Sequence, residues 1–555
     1  MENTQLNQSE LATSYDELRY YSKPFSFTSI PFLEASAYLW GLTPPAIKGA
    51  KVLELGSSFG GNLISQAVYY PETEFVGIDL SSSQINQGNE IIKSMGLNNV
   101  RLEAKNILHI TSEFGKFDYI IAHGIYSWVP DEVKSKILDI CRDNLSENGI
   151  AYISYNTYPG WKSKEVARDI MLFTNKHTSE LPLSEQMRRG KVVVKLFSDA
   201  IKTIKSVKEH NSFRINNFDD IQDKDDSYIA HEYLETYNHP FYLNEFVDEV
   251  CKHQLAYIGD TDFQLSFTSW MQQHLRDMII QLTGDDYVAR EQCIDYLYDV
   301  AFRRSLLCHA NLQGNVNHTE EVPKAILDKL TFLTTNKENN LSTSFNNPDI
   351  VRLFEYFIFS VGEFSIQDLK DYVVKNKDLK HITEDMIYSA SLLSIILDYV
   401  NIYLMPYKTY QFEDNKTYVP ARFTHYVEKM LNGATQYIEF GDMYNRTVVG
   451  ILPLHLHIMS EMRKPITKAA LVDSLQKYLI ENNYKDMDNN EKPIDEEFDA
   501  TGLCSALCQD LEVFGYIRPI LEADLVTGKE VHAELDVVSQ VEKTAEVKSE
   551  PKKEK

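Results

Sequence analysis

Cysteine is scarce in this chain. Six occur in 555 residues (Cys141, Cys251, Cys293, Cys308, Cys504 and Cys508), and no C-x-x-C pair is among them. Cys504 and Cys508 stand at helical i,i+4 spacing, which reads as packing rather than as metal ligation. The fifteen histidines include His455, His457, His231 and His239. None has an acid or cysteine partner at metal-ligand spacing, so no metal is expected. Basic charge is also short: 55 Lys and Arg stand against 81 Asp and Glu, a net charge of −26. That argues against a dedicated nucleic-acid binder, which needs basic surface, and favours cationic partners. Long apolar runs are missing. The longest, Leu392–Leu397 extending towards Leu404, carries Asp398 and Asn401 and is too short to span a bilayer. The opening stretch MENTQLNQSE contains no Lys or Arg and does not read as a signal peptide. The expectation is a cytoplasmic protein with no membrane insertion.

What the chain does have is KVLELGSSFGG, Lys51–Gly61. An apolar strand runs into Glu54, and glycines follow at Gly56, Gly60 and Gly61. Nineteen residues after Gly60, a second strand, EFVGID, ends in Asp79. This is a nucleotide-binding turn with a ribose acid at the end of the next strand.

Around it, residues 51–156 alternate strand and helix. The apolar runs Val52–Leu55, Phe75–Ile78, Val100–Leu102, Tyr119–Ala122 and Ile150–Ser154 predict strands. Asn62–Tyr70, Ser83–Met95 and Glu132–Asn144 predict helices. This is the pattern of a doubly wound sheet, whose ligands sit at the carboxyl ends of the strands. Those ends are Glu54, Asp79, Asn106, His123 and Tyr155.

After Asn156 the alternation stops. Lys162–His210 is helical in pattern and locally basic, with eleven Lys or Arg against six acids. Tyr242–Asp260 predicts a helix feeding a strand, and Arg303–Ala310 one more strand. The sheet is thus completed from far down the chain. Residues 162–230 form an insertion: a dimerisation element, a substrate element, or an extra layer over the sheet. Further on, FSIQDLKDYV and PITKAALVDSL open two faintly similar segments that end at Pro406 and Pro519. They suggest two winged-helix-like units. Neither carries a basic recognition stripe, which favours a protein-contact or scaffold role. The tail KTAEVKSEPKKEK reads as disordered.

The residues also distinguish between nucleotides. A pyrophosphate has no use for an acid two residues before the first glycine, whereas a methionine ammonium does. Asp79 accepts ribose hydroxyls in either case. The pattern resembles motifs I and II of the class I S-adenosylmethionine-dependent methyltransferases, with Ser58 where that family often has glycine. Asn106 stands where the family often has an acid facing the adenine amine, and an amide oxygen accepts that bond too. The resemblance implies cofactor contacts at Glu54, Gly56, Ser58, Gly60, Asp79, Leu80, Asn106, Ile107 and His123. The [DNS]PP[YF] tetrad of nucleic-acid amino-methylating enzymes is missing.

Three further segments narrow the resemblance: YDELRYYSKPFSFTSIPFLEASAYLWGLTPP before the first strand, HGIYSWVP (His123–Pro130) after the fourth and SYNTYPGW (Ser154–Trp161) after the fifth. Together they resemble bacterial methyltransferases with a methyltransferase regulatory domain, among them the rickettsial protein lysine methyltransferases of outer-membrane protein. The implied fold is an α/β Rossmann-like class I methyltransferase domain with a helical insertion, followed by mainly α winged-helix-like domains. The boundaries read as 1–161 with 231–315 for the cofactor-binding domain and 162–230 for the insertion. A middle domain spans 316–420, a winged-helix-like domain 421–540 and the tail 541–555. The resemblance also implies a lysine-bearing protein substrate on the bacterial surface and a homodimer.

Methyl transfer to lysine needs a neutral amine, and a free lysine with a pKa near ~10.4 is on the order of 0.1% neutral or less at pH 7. An aromatic, water-poor channel lowers that pKa and can hold the ammonium. The two loops supply Tyr126, Trp128, Tyr155, Tyr158 and Trp161. Tyr155, holding or relaying a proton, and Asn156, accepting an amine hydrogen bond, are the first candidates at the reacting amine. Tyr20, Tyr21 and Phe25 belong to a segment expected to cover the cofactor. Two other readings stay open from the residues alone: an idle cofactor-binding module that regulates a partner, and a small-molecule methyltransferase.

Overall fold

The computed structural model describes residues 22–176, 180–204, 212–235, 237–335, 341–405, 407–432, 438–486 and 492–520. Tyr20, Tyr21, Pro406 and the tail 541–555, all singled out above, lie outside the described residues.

The central element is a seven-stranded sheet. Its strands are β1 (Lys51–Leu55), β2 (Glu74–Asp79), β3 (Val100–Ala104), β4 (Phe117–Ala122), β5 (Leu145–Asn156), β6 (Leu255–Asp260) and β7 (Phe302–His309). Their order is β3-β2-β1-β4-β5-β7-β6. β1 to β5 run parallel, and β7 runs antiparallel to both β5 and β6. The apolar runs that predict strands are buried on both faces, as a covered parallel sheet requires. The chain order reverses between β1 and β4, which places the ligand crevice above that pair.

Alternation along β5 divides its side chains between two cores. Ile150 and Tyr152 belong to the face packed by Ile30–Leu39 and Gly61–Tyr69. Ala151, Ile153 and Tyr155 belong to the face packed by Asp131–Asn144 and Leu243–Lys252. The insertion, with helices Trp161–Asn175, Leu183–Thr203 and Ser212–Asp220, has its own small core around Met171, Met187, Val194 and Phe218.

Beyond the sheet, β8 (Thr331–Thr334), β9 (Glu363–Ser365) and β10 (Val400–Tyr403) form a small antiparallel sheet in the order β10-β8-β9. A C-terminal group of four helices follows: Ala421–Leu431, Pro453–Glu461, Lys468–Glu481 and Thr501–Val513. It is closed by pairing of β11 (Thr417–Tyr418) with Arg518–Pro519. This group packs on the domain of the seven-stranded sheet through the buried helix Gly61–Tyr69. Tyr69 lies 5.3 Å from Phe423 and 6.1 Å from Tyr516, ring to ring.

Arg303 on β7 ties the late strands to the rest. It is fully buried and donates to both carboxylate oxygens of Asp295 at 2.8–3.1 Å and to Glu291 Oε2 at 3.0 Å. Asp260, at the end of β6, lies 3.6 Å away. Burial raises the carboxyls of Glu291 to about 7 and Asp295 to about 6, despite the guanidinium beside them. Removing Arg303 leaves Glu291 and Asp295 without their paired cation and Asp260 with only the more distant charge of Arg304. Arg303→Ala is expected to cost about 3–5 kcal/mol, and thermal unfolding of the variant should show a clearly lowered midpoint.

Candidate functional site

The turn after β1 is built for close backbone approach. Gly56 has φ +76° and a Cβ there would meet Ile125 Cγ2 at 2.6 Å, while Gly60 has φ +80° and starts the helix Gly61–Tyr69. Ser58 takes φ +50°, a left-handed conformation that costs a non-glycine residue roughly 1–2 kcal/mol. This accounts for the glycine that the resembling family often places here. Two hydrogen bonds hold the serine: Ser58 N–H donates to Asp79 Oδ2 at 2.8 Å and its hydroxyl to Gln84 Oε1 at 2.8 Å. Asp79 also accepts from Ser81 N–H at 3.0 Å, so its carboxylate is aimed by the backbone on both sides. Leu80 follows it, partly exposed.

Glu54 is the unusual group. It is buried, Oε1 accepts from Asn62 Nδ2 at 2.8 Å, and Oε2 is buried with no hydrogen-bond partner among the described residues. Burial pushes its pKa up to about 8, against the lowering effect of the Asn62 bond. A buried carboxylate oxygen without a donor is a costly arrangement in an isolated fold. It suits a ligand that brings its own ammonium.

Asn62 links this acid to distant parts of the chain. Its Oδ1 accepts from Phe25 N–H at 3.1 Å, from the Thr28 hydroxyl at 3.0 Å and from Asn445 Nδ2 at 2.6 Å. The segment Ser22–Thr28 therefore lies across the strand ends. At its start, Ser22 Oγ accepts from Gly61 N–H at 2.8 Å. Further along, the Phe25 ring packs 4.3 Å from His123 at the end of β4. His123 Nδ1 sits 2.9 Å from Ser154 Oγ and 3.2 Å from Tyr152 OH. Burial, helped by the charges of Arg304 and Lys23, lowers its pKa to about 3, so the ring is neutral at physiological pH. Asn106 caps the short turn Ile107–His109, and its Oδ1 accepts from Leu108 N–H at 2.9 Å. That bond takes one of the oxygen's two lone pairs and leaves the other.

The aromatic candidates divide. Trp128 is partly exposed on the β4 loop and meets Trp161 edge to face at 6.1 Å. Trp161 itself is buried at the start of its helix. Asn156 is nearly buried. Its N–H donates to Ser127 Oγ at 2.9 Å and its Nδ2 to Asn238 Oδ1 at 3.0 Å, and among the described residues nothing donates to its Oδ1. Tyr155 requires a correction. Its ring stacks on Phe246 at 4.1 Å and its hydroxyl meets Ser305 Oγ at 3.1 Å, inside the apolar core. Strand alternation turns it to the face opposite Tyr152 and Ser154, so it does not reach a reacting amine. Tyr126 is corrected for the same reason: it is buried edge-on against Phe246, at 5.5 Å. Both are packing residues of the sheet's second core.

Residues that the motifs do not flag complete the site. Asn62 lies two positions beyond Gly60, and its polarity on a fully buried helix is the one clue to its role. Thr28 and Asn445 carry no local signal.

Family comparison agrees with this geometry. Residues 47–232 match a methyltransferase domain, 225–309 the domain described as a predicted methyltransferase regulatory domain, and 409–518 a winged helix domain. The chain belongs to the class I S-adenosylmethionine-dependent methyltransferases that carry a methyltransferase regulatory domain, and S-adenosylmethionine is the cofactor of that family. Within the class its relatives include two Rickettsia prowazekii proteins. Uncharacterized protein RP028 is 38% identical over 240 residues, covering 43% of this chain and 94% of the relative. Uncharacterized protein RP789 is 35% identical over 352 residues, and the match spans 60% of this chain and 62% of the relative. The structure of PKMT2 from Rickettsia typhi in complex with AdoHcy superposes with a TM-score of 0.72 at 26% identity. It covers 90% of this chain and 99% of that one.

The residues fit the cofactor. Glu54 Oε2 can receive an ammonium, the glycine turn admits close approach, and Asp79 can accept ribose hydroxyls. At pH 7 the free Glu54 carboxyl is largely protonated, since its pKa of about 8 lies above that pH. An ammonium favours the ionised form, so binding should release a proton. Calorimetric titration with S-adenosylhomocysteine at pH 7 is expected to give an enthalpy that depends on the buffer's ionisation enthalpy. Glu54→Gln should abolish that dependence and weaken binding about tenfold or more.

Proposed function

We propose that the protein is a protein lysine N-methyltransferase acting on a bacterial outer-membrane surface protein. Bound S-adenosylmethionine supplies a methyl group already activated on a sulfonium. The chain's own work is then to orient the acceptor, strip water from it and keep its amine neutral. Glu54 holds the amino-acid end of the cofactor and Asp79 its ribose, and Phe25 covers the gap between the β1 and β4 ends. His123, neutral at physiological pH, adds no positive charge to repel an incoming amine. Asn156 Oδ1 accepts an amine hydrogen, and Trp128 forms the aromatic side of the approach, with Trp161 behind it.

The observation that carries the lysine reading is how the loop after β5 and the neighbouring Phe241 already treat ammonium groups. Lys162 Nζ stands 5.2 Å from the ring centres of both Tyr158 and Tyr242 and donates to Tyr242 OH at 2.7 Å. Lys164 Nζ lies 4.6 Å over Trp161. Lys134 Nζ lies 5.4 Å over Phe241. A surface that accepts lysine ammoniums on aromatic faces in three places is chemically suited to receive one from a substrate. The strongly acidic chain favours the same kind of partner, and the likeness to PKMT2 supports it. No helix among the described residues is long and apolar enough to cross a membrane. We assign the reaction to the cytoplasm, where the cofactor is made and before the substrate is exported.

A homodimer through the insertion belongs to the same proposal. Val192, Leu196 and Phe197 are exposed along Leu183–Thr203, with Leu172 and Phe173 exposed on the preceding helix. A second copy would cover this apolar stripe. Leu196→Glu is expected to shift light-scattering mass from dimer to monomer without altering the fold.

Incubation with S-adenosylmethionine and a purified surface-protein fragment should yield peptides bearing one or more methyl masses on lysine. Cofactor bound with no methylated lysine in any peptide would sink the lysine assignment. Trp128→Ala should leave cofactor affinity within about twofold and lower kcat by about tenfold or more.

A further inference from the structure

Two asparagines 383 positions apart in sequence meet at the cofactor turn. Asn62 Oδ1 receives three donors, and the shortest of these bonds comes from Asn445 Nδ2 at 2.6 Å. Asn445 belongs to the stretch that matches a winged helix domain. We propose that Asn445 is a positioning residue for the amino-acid end of the cofactor, acting through Asn62 on Glu54, so that the winged-helix unit completes the cofactor site. The proposal rests on Glu54 as the partner of the cofactor's ammonium.

A primary amide presents an acceptor at one end and two donors at the other. Crowding donors around the oxygen of Asn62 turns its NH2 towards Glu54, where Nδ2 fills Oε1 at 2.8 Å. Oε2 is then the carboxylate atom left for a ligand. The reversed amide would set an oxygen against the Glu54 carboxyl and an NH2 against two fixed donors, the Phe25 N–H and the Asn445 NH2. Asn445 is in turn held firmly. It is fully buried, with φ +59°, a left-handed conformation that asparagine tolerates well. Its Nδ2 also reaches Phe25 O at 3.2 Å, and its N–H donates to Asp442 O at 2.8 Å. The surrounding loop grips the same helix at separate points. Gly441 N–H donates to Ser65 Oγ at 2.8 Å, and Tyr70 OH donates to Met443 O at 2.7 Å. Docking of the loop and orientation of Asn62 thus depend on different atoms and can be tested apart.

The test uses two ligands on the full-length chain. S-adenosylhomocysteine has the amino-acid end, while 5′-methylthioadenosine has the same nucleoside and thioether without it. Calorimetric affinities would be measured for wild type, Asn445→Ala, Asn445→Asp, Glu54→Gln and Tyr70→Phe. Asn445→Ala is expected to weaken S-adenosylhomocysteine about 5- to 20-fold and to leave methylthioadenosine within about twofold. Asn445→Asp, which is isosteric and faces Asn62 Oδ1 with acceptors alone, should lose at least as much; it carries the comparison if the alanine variant does not fold. Tyr70→Phe, which removes a docking bond from the same loop, should change neither ligand. A loss shared equally by both ligands, no loss, or the same selective loss in Tyr70→Phe would overturn the proposal. Glu54→Gln separates the two ideas. If it discriminates between the ligands and the Asn445 variants do not, only the role of Asn445 falls. If Glu54→Gln does not discriminate, the reading of Glu54 falls and takes this proposal with it.

Discussion

A carboxylate taken out of water is costly unless something meets it. Glu54 is met on one oxygen by the Asn62 amide and on the other by nothing among the described residues. The rest of the architecture can be understood from that half-satisfied acid. The glycine turn brings backbone close to it, and Asn62 keeps a donor on one side so that the other side stays selective. The covering segment and the C-terminal loop both end on the Asn62 oxygen. On the proposed reading of Glu54, an ammonium at Oε2 would return as ligand affinity what the unmet oxygen withholds from folding.

Much of this was legible in the residues, and the reason is periodicity. Parallel strands covered on both faces leave continuous apolar runs, and so β1 to β5 fall within two residues of their predicted starts except β5. That strand begins at Leu145, through polar residues Ser146, Glu147 and Asn148 that no strand propensity marks. The late strands β6 and β7 were also legible: Leu255–Asp260 is largely apolar after a helical segment, and β7 carries the short apolar stretch Leu306–Cys308 behind Arg303 and Arg304. Glu54 and Asp79 stood out because an acid at a strand end beside glycines is chemically odd. Tyr155 was misread for a reason equally physical. The strand end was right, but a one-residue step reverses the face, and only the partner across the sheet, Phe246, shows which face is which. Asn445 could not be found at all, because nothing local distinguishes a buried asparagine on a distant loop from any other turn residue.

The acceptor side is built differently from the donor side. Cofactor-facing atoms are backbone amides and short polar side chains, held by several bonds each. The loops after β4 and β5 instead offer ring faces and partly exposed indole, anchored from behind. Gly160 makes that anchoring possible, since a Cβ there would lie 2.0 Å from Asp299 O, against the segment that leads into β7. One half of the cleft is specific through hydrogen bonds and the other is tolerant through shape and quadrupole. On the proposed lysine reading, such a division would fit one methyl donor and lysines in different sequence surroundings.

The contact of Ser22 with Ile438 has a consequence for biosynthesis. These residues pair as a parallel bridge, and Glu439 N–H donates to Ser22 O at 2.9 Å. The first described residue thus waits for one that leaves the ribosome some 416 residues later. At about 5–20 residues per second, that interval is tens of seconds. During it the seven-stranded sheet can already form, yet the Asn62 oxygen lacks its donor from the far end. The Rossmann-like domain can therefore form well before the winged-helix segment that carries Asn445 has been synthesised.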